Sequence, residues 1–177
     1  MEIKKVDMEN TKVIVEIMKG SHHSKITGNF GELLVLYWLS KHGFECAVID
    51  HVGLDIIARN LYTNELMGIS VKSRSRNPGT EGTHINIPKK DIPKLEAACQ
   101  AFGCKPYFAL VVDEADTITV FILSKSHLEE LYPKGEKIIA WMMNKAWQEK
   151  YEANKEIKIF TFKTETLNWW SKTLESI

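Results

Sequence analysis

An excess of charge of one sign is missing from this sequence. Lysine and arginine together number 23, as do aspartate and glutamate. A balanced chain is not a bulk electrostatic binder of nucleic acid, although it can carry a local basic face. Cysteine is scarce. The three present (Cys46, Cys99 and Cys104) lack paired metal-ligand spacing, which argues against a zinc centre and fits reduced thiols in a cytoplasmic protein. No stretch is apolar enough to cross a bilayer, so no membrane partner is expected. The opening MEIKKVDMENTKVIVEIMKG is charged throughout and lacks the apolar core of a signal peptide. Repeats, low-complexity tracts and long linkers are absent too.

What is present is an ordinary globular composition, 44% hydrophobic and 26% charged over 177 residues. That length suits a single domain, 1–177, with a core over 28–123 and a C-terminal extension over 135–177. Residues 5–20 can form a short helix. Thr27-Gly28-Asn29 then opens a stronger one, FGELLVLYWLSKH, which stops at Gly43. FECAVID, LDIIAR and LMGISVKSR read as strands, and the short turn between the last two predicts an antiparallel hairpin. KKDIPKLEAACQAFG reads as a helix, KPYFALVVD as a central strand, and TITVFIL as a further strand followed by the short helix SKSHLEELY. The extension gives a helix (IIAWMMNKAWQEKYE), a strand (EIKIFTF) and a last helix. The order predicts an α/β fold, a mixed central sheet flanked by helices.

Several residues break the apolar pattern. Glu32 shares a helical stripe with Val35, Leu36 and Leu39, which points a carboxylate where the apolar face points. With Asn29 as N-cap, Glu32 would instead fall at the capping-box position and bond back to the backbone. Asp55 interrupts the apolar run after Gly53, and aspartate is disfavoured in strands. In GISVKSRSR, Ser70, Lys72 and Arg74 share the face opposite Met67, Ile69 and Val71. A hairpin would bring Asp55 beside Ser70 and Lys72. His22 and His23 are potential metal ligands, but adjacent histidines before a helix are more often solvated.

The ordered set Gly28-x-x-Gly31-Glu32-x-x-Val35-x-x-x-Leu39-x-x-x-Gly43, then Gly53-Leu54-Asp55-Ile56-Ile57, then Ser70-Val71-Lys72, resembles the PD-(D/E)XK nuclease superfamily. That superfamily includes restriction endonucleases and archaeal-type Holliday junction resolvases, and the likeness covers residues 28–113. It implies a restriction-endonuclease-like core (α-β-β-β-α-β) and an endonuclease that hydrolyses phosphodiester bonds of DNA with Mg2+ or Mn2+. Asp55 and Glu32 would hold the metal, Val71 would offer its backbone carbonyl, and Lys72 would position the attacking water or stabilise phosphate charge. Ser70 departs from the pattern, since the superfamily has Glu, Asp or Gln there. Two carboxylates would remain, with Glu81 a conceivable third.

Around Lys72 the chain is basic. Arg74, Arg76, Lys89, Lys90 and Lys94 are offset between positions 70 and 94 only by Glu81 and Asp91, as suits a DNA backbone. Ser73 and Ser75 could add hydroxyl contacts. Ser70 keeps open a second reading, a catalytically degenerate nucleic-acid-binding or assembly module of the same fold. A third is a structural or protein-partner domain. Trp141, Met142, Met143, Trp147, Trp169 and Trp170 read as core or as the contact of a homodimer.

Overall fold

The computed structural model describes residues 19–76, 80, 83–114, 116–133, 137–165 and 167. Most of the expected first helix, the last helix, Glu81, Trp169 and Trp170 lie outside them.

Helix α1 (His23–Lys41) leads into strands β1 (Phe44–His51), β2 (Leu54–Asn60) and β3 (Leu66–Ser75). Strand β4 (Ile85–Pro88) and a 3-10 turn (Lys89–Asp91) precede helix α2 (Ile92–Phe102). Then follow β5 (Lys105–Glu114), β6 (Thr117–Ser124), α3 (Lys125–Leu131), β7 (Ile138–Trp141), α4 (Lys145–Ala153) and β8 (Lys158–Lys163). The main sheet runs β1-β2-β3-β5-β6-β8, and β4 pairs with β7 in a separate two-stranded sheet. Strands β3 and β5 are parallel, and the other neighbours are antiparallel. The β3–α2–β5 unit supplies the crossover that a parallel pair requires.

Alternation along the central strands sends side chains into two cores. On one side Ile69 and Val71 of β3 and Ala109 and Val111 of β5 meet Val35 and Leu39 of α1. On the other, Phe108, Leu110 and Val112 of β5 meet Leu95 of α2, Leu128 of α3 and Tyr151 of α4. The first core is mainly aliphatic and the second also holds the rings of Phe108, Phe121, Trp141 and Tyr151, and together they fix the sheet between α1 and the remaining helices.

Two boundaries differ from the sequence expectation. Helix α1 starts at His23, about two turns before Asn29. Within it Thr27 Oγ1 donates to the His23 carbonyl at 2.8 Å, so a residue of cap type is absorbed into the helix. Glu32 therefore lies mid-helix, and the capping-box alternative is removed. The expected helix over IIAWMMNKAWQEKYE is broken: Ile138–Trp141 is a strand, and α4 starts only after Asn144, whose Oδ1 accepts the Trp147 N–H at 3.1 Å. Pairing with β4 places Ile139 and Trp141 in the core, which overrides the helical pattern.

Candidate active site

The β2–β3 register ends at the pair Ile56 and Ile69. Immediately beyond, a side chain takes over from the ladder: Asp55 Oδ2 accepts the backbone N–H of Val71 at 2.6 Å. A charge-assisted bond of this length anchors the carboxylate where the two strands part. The glycine before it, Gly53, has φ +89°, and a Cβ there would stand 2.7 Å from the Lys94 carbonyl carbon on α2. Only glycine allows both the left-handed backbone and this approach, so α2 fixes the entry into β2.

Glu32 arrives from the other side. Helix α1 lies against β3, and a Cβ on Gly31 would fall 1.9 Å from Ser73 Oγ. That close seat brings the next residue, Glu32, to the end of β3. Burial, and then the Asp55 charge, push the Glu32 carboxyl above the ordinary glutamate value, while Lys72 pulls it partly back. One acid from a helix, one from a strand and one lysine thus share an electrostatic neighbourhood. Lys72 Nζ lies 3.6 Å from Asp91 Oδ2, with both side chains largely buried (28% and 22% exposed). Asp91 also reaches Lys94 Nζ at 3.4 Å.

The other candidates divide. Ser70 is only 2% exposed, so its hydroxyl is nearly closed off from solvent. Arg74 is exposed and lines a cavity of about 140 Å3 with His23, Phe30 and Asp113, on the opposite flank of α1 from Glu32. Arg76 donates to the Thr83 carbonyl, and its burial lowers the guanidinium pKa while Glu114 raises it. Lys89 and Lys90 sit in the 3-10 turn beside Asp91. Of the flanking serines, Ser73 Oγ is buried against α1 without a hydrogen-bond partner, and Ser75 Oγ donates to Asp113 Oδ2 at 2.8 Å. Neither hydroxyl is free for a phosphate. His23 interacts with Thr27, within its own helix.

Sequence reasoning overlooked Asp91 as a partner of Lys72. Its signal was slight, an acid in the turn Lys89-Lys90-Asp91 that counted only as a charge. Among the described residues no group of three or more His, Cys, Asp and Glu side chains is placed to hold a metal ion. Two neighbouring carboxylates, one raised by the charge of the other and the other with an oxygen left over from its backbone bond, still fit Mg2+, which retains several waters. Among the described residues no helix is long and apolar enough to cross a membrane.

No family model matches this chain, and no curated protein matches it. Among solved structures it is similar to Hjc, a Holliday junction resolvase of the archaeal hyperthermophile Archaeoglobus fulgidus. The identity is 20% and the TM-score 0.48, over 68% of this chain and 85% of that one. The succession α1, β1, β2, β3, α2, β5, with β4 inserted before α2 and with β3 and β5 parallel at the centre of a mixed sheet, matches the α-β-β-β-α-β order that the motifs imply.

Proposed function

We propose that this chain is a metal-dependent nuclease that hydrolyses phosphodiester bonds of DNA, with Glu32, Asp55 and Lys72 as its catalytic residues. The observation that carries the proposal is the convergence of Glu32 with Asp55, which is anchored on the Val71 N–H, and with Lys72, whose charges both act on the Glu32 carboxyl. A paired-acid site beside a lysine is costly for a fold and useful for phosphoryl chemistry.

Glu32 and Asp55 would hold Mg2+ or Mn2+ together with the Val71 carbonyl. Val71 directs its N–H to Asp55, and on a strand a residue's N–H and C=O leave by the same edge. The bound cation would supply a Lewis acid for the phosphate and acidify water. Asp55 is held in place by its backbone donor. Lys72, held by Asp91, presents an ammonium to the negative charge that develops on the phosphate, and it orients the attacking water. The nearly buried Ser70 contributes neither charge nor an exposed hydroxyl, so among the described residues Glu32 and Asp55 would be the only charged ligands of the cation.

The test is cleavage of supercoiled plasmid, single-stranded and branched DNA with each metal, for the wild type, Asp55→Ala and Lys72→Ala. Metal-dependent cleavage lost in both variants supports the proposal. Cleavage that survives both substitutions removes these residues from the mechanism.

The burial of Ser70 and the lack of a third acid among the described residues favour a second reading, a DNA-binding module of the same fold without hydrolysis. It calls for salt-dependent DNA binding with no cleavage under either metal. Ser70→Glu would then show whether one missing carboxylate is the whole deficit.

A further inference from the structure

The small sheet of β4 and β7 presents a cationic surface outside the catalytic residues. Ile85, Ile87, Ile139 and Trp141 are buried in the core, so the sheet is a firmly seated platform. Its ladder continues one step past Pro88 and Ile138, where the Lys89 N–H donates to the Lys137 carbonyl at 3.0 Å. That bond sets Lys89 and Lys137 side by side, and Lys90 follows in the 3-10 turn. These lysines, with Pro88 and Ile138, line a shallow cavity of about 480 Å3 that contains no carboxylate among the described residues.

Among the described residues none of the three lysines is in an ion pair. Asp91, next to Lys90, spends its carboxylate on Lys72 and Lys94, and Glu136, next to Lys137, lies outside the described residues. Three like charges crowded on a rigid edge repel one another in the free protein, and a polyanion relieves that repulsion. Lysines act as flexible point charges, which suits successive phosphates without regard to base sequence. The same three-residue turn carries the partner of Lys72 and two of these lysines, so the cradle is tied to the catalytic end of β3.

We propose that Lys89, Lys90 and Lys137 cradle the phosphate backbone of the duplex arm that continues from the scissile position, with β4 and β7 as its platform. This rests on the DNA reading above and adds Lys137 and the second sheet to it.

The experiment measures binding of the full chain to a fluorescent duplex in EDTA, over a range of salt concentrations. The wild type is compared with the triple variant Lys89→Gln/Lys90→Gln/Lys137→Gln. A control carries Lys155→Gln and Lys163→Gln, which lie near and on β8 and leave the cradle intact. Each neutralised phosphate contributes about 0.9 to the slope of log K against log salt, so the triple variant should lose roughly 2–3 in slope. Lys137→Gln alone should lose about 0.9, and the control should match the wild type. Circular dichroism establishes that every variant is folded. Normal DNA binding with an unchanged slope in the triple variant overturns the cradle alone. An equal loss in the control overturns it too, since bulk charge would then explain the effect. A wild type that binds no duplex overturns the cradle and the DNA reading together. A wild type that binds with the expected slopes but cuts nothing leaves the cradle standing and removes only the hydrolysis.

Discussion

The carboxylate of Asp55 holds the backbone N–H of Val71 at 2.6 Å, at the point where β2 and β3 stop pairing. One side chain thus closes the end of a ladder and defines one wall of the candidate site. Structure and chemistry meet in that bond, and substitution can separate them. Asp55→Ala leaves a half-buried donor unsatisfied and should cost about 1–3 kcal/mol of stability. Asp55→Asn keeps an acceptor and should cost less than half as much, while abolishing cleavage equally. Urea denaturation beside a plasmid assay distinguishes them, and equal destabilisation by both would show that the bond is unimportant.

Glu32 predicts a pH signature. Its carboxyl is raised in the folded state, so the native protein binds more protons than the unfolded chain between the ordinary glutamate value and the raised one. The stability this confers is complete below the ordinary value and is lost as pH rises through the folded one. Glu32→Gln should therefore melt above the wild type at neutral pH, and the gap should close near pH 4, within the ordinary glutamate range. A gap that widens on acidification would contradict the assignment.

The seat of α1 on β3 depends on Gly31. A Cβ there would lie 1.9 Å from Ser73 Oγ and 3.0 Å from Ser73 Cβ, so Gly31→Ala should cost about 1–3 kcal/mol through overpacking. Ser73→Ala removes a buried hydroxyl with no hydrogen-bond partner and should be neutral or stabilising. The double variant should recover part of the loss. No recovery would mean that the helix is displaced by something other than this contact.

On the proposed mechanism Asp91, 3.6 Å from Lys72 Nζ, acts through Lys72 as a positioning residue. Asp91→Asn should lower kcat by about tenfold and Lys72→Ala by about a hundredfold or more, with DNA Kd nearly unchanged in both. An Asp91→Asn effect confined to KM would make it a binding residue instead.

The main-sheet strands were readable because each is a short apolar run closed by turn residues. The candidate acids stood out because they interrupt such runs. The start of α1 was not readable: Thr27, Gly28 and Asn29 are cap-type residues that the tertiary seat of the helix absorbs. Nor was β7, whose Ile138-Ile139-Ala140-Trp141 fits a helix until its distant partner β4 is known. The meeting of Lys72 with Asp91, and the burial of Ser70, arise only when α2 packs beneath β3. The local pattern carries neither.

The central claim is that Glu32 and Asp55 together hold a divalent cation at the end of β3. Electron paramagnetic resonance of Mn2+ titrated into the protein with duplex DNA measures that directly. The account predicts one bound ion per chain in the wild type and loss of that ion in both Asp55→Ala and Glu32→Ala. Binding of Mn2+ that is indifferent to these two substitutions, or no binding at millimolar metal, would contradict it.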